Sequence, residues 1–256
     1  MKGDQRRQAI LELLLFSDAV GIVQLAERFA VSHMTIRRDL ELLSGHVTVR
    51  RGLVRLARSS ATEPRYAAKQ RLNAPLKALI ARYAAEHFVQ DGDVVLLEGG
   101  TTVTAMARHL RGKTGLTVVT NGLYTLNELA RLQPEVTVVS TGGVLRDGAF
   151  TFVGPAAEQH LAGIHAKTLF ASATGFTAGR GFTDPNPLEA QIRRVMVERA
   201  ERVVMLLDSS KFGVVSLVTV ASANGVDLLV TDTGAPEEEL ARLRQAGVSV
   251  HLVAAP

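Results

Sequence analysis

The chain has 256 residues, 29 Lys and Arg against 25 Asp and Glu, and a formal net charge of +4. A hydrophobic content of 46% excludes disorder as the main state, and the absence of Cys excludes disulfide frameworks, thiolate zinc sites and cysteine nucleophiles together. The charge is lopsided: residues 1–58 hold ten basic and six acidic side chains, whereas the remainder balances at 19 of each, so any attraction for a polyanion is confined to the first quarter.

The first predicted elements are three short helices between Asp4 and Leu43. Ile10, Leu13 and Leu14 form an apolar stripe on the first, and Ile22, Leu25, Ala26 and Phe29 on the second. Gly21 stands at the second helix's N-cap and offers no side-chain acceptor. A tight turn at Ala30–Val31 leads to Ser32, a good N-cap for a third helix whose buried stripe is Ile36, Leu40 and Leu43. Met34 and Arg38 then lie opposite that stripe, with Arg37 and Glu41 beside them. A helix pair of this kind suits the major groove of DNA. Ser32, His33 and Thr35 would meet phosphates, and Arg37 or Arg38 a guanine edge. The stretch His46–Leu56 alternates β-branched and basic residues around Gly52 and predicts a small hairpin, a wing that lays Arg50, Arg51 and Arg55 along a backbone.

Residues Ala57–Pro64 lack hydrophobic periodicity and end in a proline, which places a domain boundary there. The expected division is a DNA-binding domain over 1–58, a linker over 59–75 and an α/β domain over 76–256. In the last, seven apolar strands (Val94–Leu97, Leu116–Thr120, Val136–Ser140, Thr168–Ser172, Val203–Leu207, Leu228–Thr231, Val248–Val253) alternate with amphipathic helices. That pattern predicts a mainly parallel sheet covered on both faces.

Ligands of such sheets gather at the carboxyl ends of the strands. Glu98-Gly99-Gly100-Thr101-Thr102 offers glycines for close approach, hydroxyl donors and the start of a helix, features of a phosphate cradle, although no lysine follows as in a Walker loop. Thr120-Asn121-Gly122, Thr141-Gly142-Gly143, Ala173-Thr174-Gly175 and Asp208–Gly213 add small, amide, hydroxyl or cationic groups to the same expected rim, with Lys211 the one lysine among them. The seven histidines show no metal-binding spacing, so no metal or other cofactor is expected. The apolar run Ala9–Phe16 is interrupted by Glu12, and no stretch approaches the ~20 apolar residues of a membrane span. A cytoplasmic protein with no membrane partner is the expectation.

Arg6, Ile10 and Leu14, followed by Ser32-His33-Met34-Thr35-Ile36-Arg37-Arg38-Asp39-Leu40, resemble the helix-turn-helix signature of DeoR-family bacterial transcriptional regulators. The segments Val94–Thr102, Thr117–Leu123, Gly142–Gly154, Leu188–Met196 and Asp208–Gly213 are similar, in order, to that family's effector-binding domain. The resemblance implies a winged helix-turn-helix followed by a sensor domain of the ribose-5-phosphate isomerase/CoA-transferase fold. It also implies a homo-oligomeric repressor of a carbohydrate-utilisation operon, bound to double-stranded operator DNA and controlled by a phosphorylated sugar or related metabolite. Glu98, Gly100, Thr101, Thr102, Asn121, Gly142, Gly143, Glu189 and Lys211 are the effector-binding residues it implies. Three positions depart from the family pattern: Glu98 and Thr174, where Asp is usual, and Arg193, where Lys is usual. No catalytic residue is expected. The competing readings are a phosphosugar isomerase or deaminase using Glu98 or Glu189 as its base, and a sequence-independent DNA-packaging protein.

Overall fold

A computed structural model describes residues 3–15, 19–43, 47–56 and 66–254. It divides into two compact units, Met1–Pro64 and Arg65–Pro256.

The first unit contains helices α1 (Gly3–Leu15), α2 (Ile22–Phe29) and α3 (His33–Leu42), and strands β1 (Val20–Gly21), β2 (Val47–Arg50) and β3 (Leu53–Leu56). Its core joins Ile10, Leu14, Ile22, Leu25, Ile36, Leu40 and Leu43 to Val47 and Val54, so the three helical stripes and the hairpin bury one another. Gly21 provides no side-chain cap, and Gln24 Oε1 instead accepts from the Gly21 N–H at 3.0 Å, the reaching-back half of a capping box. Ser32 caps α3 by accepting from the Thr35 N–H at 3.2 Å. The hairpin turns through Arg51 (φ 52°) and Gly52 (φ 76°), and both left-handed residues match the twist of a two-residue turn. The two-residue strand β1 pairs with β3 and makes the wing three-stranded, in the order β1-β3-β2. His46, expected at the wing's start, lies outside the described residues.

The second unit is an α/β layer structure. Its elements are helices α4 (Tyr66–Arg71), α5 (Ala74–Phe88), α6 (Thr101–Ala107), α7 (Leu123–Leu129), α8 (Pro155–Ala162), α9 (Pro187–Glu198) and α10 (Glu237–Gln245). The strands are β4 (Val94–Leu97), β5 (Leu116–Thr120), β6 (Val136–Ser140), β7 (Val144–Arg146), β8 (Thr151–Val153), β9 (Ala166–Ala171), β10 (Gly175–Thr177), β11 (Gly181–Asp184), β12 (Ala200–Leu206), β13 (Val218–Ala221), β14 (Leu228–Asp232) and β15 (Ser249–Val253). The seven strands expected from sequence form one sheet, order β15-β14-β12-β9-β4-β5-β6, with every neighbouring pair parallel. Strand residues alternate between two cores. Val95, Leu97, Phe170, Val204 and Leu206 pack with α5 and α6, while Leu96, Leu169, Ala171, Val203 and Met205 pack with α8, α9 and α10.

The expected linker over 59–75 needs correction. Its part over 59–65 lies outside the described residues, but Tyr66–Arg71 is helix and Ala74 already begins α5. Tyr66 anchors this start: its N–H donates to the Gly148 carbonyl at 2.7 Å and its ring stacks on Tyr124 at 4.2 Å. The sheet β10-β11-β13 and the hairpin β7-β8 are antiparallel additions of three- and four-residue strands, too short to show a period.

Candidate functional site

In the first unit the outward face of α3 carries His33, Met34, Arg37 and Arg38, all exposed, with Thr35 half-buried. Arg50, Arg51 and Arg55 are exposed on the wing. The Ser32 and Thr35 hydroxyls lie 2.9 Å apart, so one of them donates to the other while Ser32 also caps the helix. Asp39, on the inner side of α3, is 3% exposed and takes Arg6 Nε at 2.6 Å and Arg7 Nη1 at 3.3 Å. Sequence arithmetic assigned Arg6 to a polyanion-attracting excess. Its charge is instead matched by a buried carboxylate that ties α3 to α1.

In the second unit the parallel strand order brings the ends of β6, β5, β4, β9 and β12 to one rim as neighbours. Glu98, directly after β4, is 0% exposed. Its Oε1 meets Arg193 Nη2 at 2.6 Å and its Oε2 accepts from Ser172 Oγ at 3.1 Å and Ser172 N–H at 3.3 Å. Arg193, on α9, also binds Asp184 at the end of β11 and lies 3.8 Å from Glu189 Oε2. Glu189 Oε1 accepts from Thr151 Oγ1 at 2.5 Å and Arg146 Nε at 3.1 Å. Thr174 Oγ1 completes the set by donating to Asp184 Oδ2 at 3.2 Å. Burial alone would raise Asp184, but Arg193, Lys69 and the Asn186 N–H outweigh it and hold the carboxyl below the usual range. Burial equally opposes the Arg193 cation, and Asp184, Glu98 and Glu189 drive it well above the ordinary value. The three departures from the family pattern, Glu98, Thr174 and Arg193, are thus members of one hydrogen-bonded cluster.

This geometry sorts the residues expected to meet an effector. Glu98 and Glu189 are spent on Arg193, Arg146, Ser172 and Thr151, so neither is placed as a proton-transfer base. Asn121 Oδ1 accepts from the Gly99 N–H at 3.0 Å, which locks the β5 loop to the β4 loop. Gly143 (φ 103°) is required by close packing, since a Cβ there would stand 2.7 Å from the Val153 carbonyl. Gly100 is required likewise: its Cβ would stand 2.2 Å from Ser172 Oγ. Thr101 is half-buried and Thr102 buried at the start of α6, Gly142 (φ 62°) turns the chain after β6, and Lys211 is half-buried in a 3-10 turn after β12.

Residues 6–61 match the family described as "DeoR-like helix-turn-helix domain", and residues 72–233 match "DeoR C terminal sensor domain". The chain belongs to the DeoR family. This DeoR-family transcriptional regulator is 33% identical over 250 residues to "HTH-type transcriptional regulator GolR" of Listeria innocua, covering 97% of this chain and 98% of that one. It is 35% identical to "Putative aga operon transcriptional repressor" of Escherichia coli O157:H7, covering 97% and 93%. "Transcriptional repressor AccR" of Agrobacterium fabrum is 35% identical, with 90% of each chain covered. Among solved structures, ribose 5-phosphate isomerase A from Neisseria gonorrhoeae aligns with a TM-score of 0.40 and 18% identity over 59% of this chain and 56% of that one. These three relatives are all described as transcriptional regulators or repressors, in keeping with the helix-turn-helix match.

Four groups in the regulator's second unit escaped sequence reasoning. Asp184 lies beyond any strand-end loop of the main sheet. Asp208 stands on the expected rim only as the first residue of the Asp208–Gly213 loop, not as a binding residue, yet it is 1% exposed, and Lys69 and Lys77 precede the first sheet strand altogether. Only Asp208, with the Ser209-Ser210-Lys211 run behind it, carried a signal that sharper reading could have used. Among the described residues, no helix is long and apolar enough to cross a membrane.

Proposed function

We propose that the chain is a cytoplasmic repressor of a carbohydrate-utilisation operon, released from its operator by a phosphorylated sugar or related metabolite. The observation that carries this reading is the co-occurrence in one chain of an outward arginine face on α3 and a rim of five neighbouring strand ends. Arg37 and Arg38 read base edges, Ser32, His33 and Thr35 meet phosphates at the start of α3, and Arg50 and Arg51 follow the backbone from the wing. Gly100, Thr101, Thr102 and Lys211 receive the effector. Glu98, Asn121, Gly142, Gly143 and Glu189 shape the rim around it. A homo-oligomer presents two such wings to two half-sites, and the effector acts by binding one arrangement better than the other, a coupling of about 1–3 kcal/mol. The relative described as a putative aga operon transcriptional repressor supports the repressor part of this reading.

A gel-shift titration on DNA upstream of the chain's own operon, with and without candidate sugar phosphates, tests it. Sequence-specific binding that a sugar phosphate weakens is the expected result, and equal affinity for operator and competitor DNA would reject it. Arg38→Ala is expected to weaken operator binding by about 1–3 kcal/mol while non-specific binding changes little more than one phosphate contact would. Unchanged operator affinity would remove Arg38 from the groove. Lys211→Ala is expected to raise the sugar-phosphate concentration needed for release; an unchanged dose response would take Lys211 out of the site.

A further inference from the structure

The first turns of α1 and the length of α3 enclose a cleft of about 670 Å³, lined by Arg6 and Arg7 from α1 and by Arg37 and Arg38 from α3. Asp39 and Glu41 are the carboxylates in the same lining. They are placed differently. Glu41 is exposed, whereas Asp39 is buried and spends one oxygen on each α1 arginine, Oδ2 on Arg6 Nε and Oδ1 on Arg7 Nη1. Arg6 is itself buried. Ile36 and Leu43, one turn before and after Asp39 on α3, belong to the apolar core. An apolar side chain at 39 would extend that core, and such a replacement of a buried ion pair is commonly neutral or stabilising. Stability alone therefore gives no reason for a carboxylate at this position.

DNA recognition gives two. A cation beside the reading helix binds any phosphate backbone, whatever its sequence, and so adds affinity without discrimination. Asp39 holds the Arg6 guanidinium in an ion pair and keeps that charge from the backbone. The second reason is orientation. Asp39 follows Arg37 and Arg38 directly in the chain, so the rotation of α3 that sets Asp39 against α1 also sets where those arginines project. Apolar packing is non-directional, whereas two donors on successive α1 residues meeting two oxygens of one carboxylate fix that rotation narrowly. We propose that Asp39 is a positioning residue for DNA recognition, keeping Arg6 off the phosphates and fixing the rotation of α3 that aims Arg37 and Arg38 at base edges. The proposal rests on the reading of α3 as the helix that enters the groove, and assigns its specificity to a buried residue behind it.

Fluorescence anisotropy of the full chain with a labelled mixed-sequence duplex, over about 50 to 200 mM salt, isolates the first effect. Asp39→Asn should bind this duplex more tightly, by up to about eightfold near 0.1 M salt, and should steepen the log–log salt slope by at least about 0.9, the share of Arg6. A merely structural Asp39 predicts the opposite, because loosening α3 weakens binding. Arg6→Met completes a double-mutant cycle. In the wild type it should leave the slope unchanged, and in Asp39→Asn it should take back about 0.9. The second effect is read on DNA upstream of the chain's own operon, whose affinity relative to the mixed-sequence duplex should fall at least about tenfold in Asp39→Asn. A cooperative thermal transition in each variant checks folding. If Asp39→Asn fails to fold, Arg6→Met still decides, since a slope shallower by about 0.9 puts Arg6 on a phosphate and overturns the proposal. An unchanged or shallower slope in Asp39→Asn, equal effects of Arg6→Met in both backgrounds, or an unaltered preference for the upstream DNA overturns it too. Each of these spares the DNA reading if the wild type binds the upstream DNA preferentially. A wild type that binds neither duplex, or both alike, removes that reading and the proposal together.

Discussion

Replacing Arg193 with Met is expected to destabilise the second unit by about 3–5 kcal/mol at pH 7, because breaking a buried ion network leaves uncompensated carboxylates behind. Glu98, Asp184 and Glu189 all face this one guanidinium, and all three are buried. The loss should depend on pH in a defined direction. In the wild type Asp184 is held below its ordinary value, so its stabilisation is present above about pH 4 and fades as the pH falls. Without Arg193 the burial that Asp184 already suffers is less opposed and its carboxyl shifts upward, so the variant gains stability on acidification. The gap between the two proteins should therefore narrow from pH 7 to pH 5. Arg193→Lys should fall between them, since a single ammonium cannot place two forked donors on Glu98 and Asp184 at once. Urea unfolding at both pH values measures this. A difference below about 1 kcal/mol at pH 7 would show that the network is already relaxed by water.

The cluster around Arg193 also marks where sequence reasoning stops. Strand ends were legible because their residues have local reasons to be there: Gly100 and Gly143 sit where a Cβ would collide with a neighbouring loop, and Asn121 caps the Gly99 N–H. The stripe Ile36, Leu40 and Leu43, and Ser32 ahead of it, fixed α3 for the same kind of reason. What could not be read was direction. Glu98 on a predicted rim is equally compatible with facing a ligand and facing inward, and only the register of α9 against β4 brings Arg193 to it across 95 residues of chain. Arg6 and Asp39 present the same problem across 33 residues. Lys69 sits on a six-residue helix too short to show a period, and nothing local to Lys77 announces that its ammonium is buried against the Lys69 carbonyl.

That hidden Lys77 yields the second large effect. Lys77→Met is expected to stabilise the unliganded protein near pH 7 by up to about 3 kcal/mol, the free energy that separates a lysine at about 8 from its unfolded value of about 10.4. Between these values the native wild type binds fewer protons than the unfolded chain, so its stability rises with pH through that window. The variant has no such group, and its advantage should shrink above pH 8 and vanish near pH 10.5. Urea unfolding of both proteins at pH 7 and 10 tests the argument: a Lys77→Met variant less stable than wild type at pH 7 would mean that the Lys69 carbonyl contact outweighs the burial of the charge.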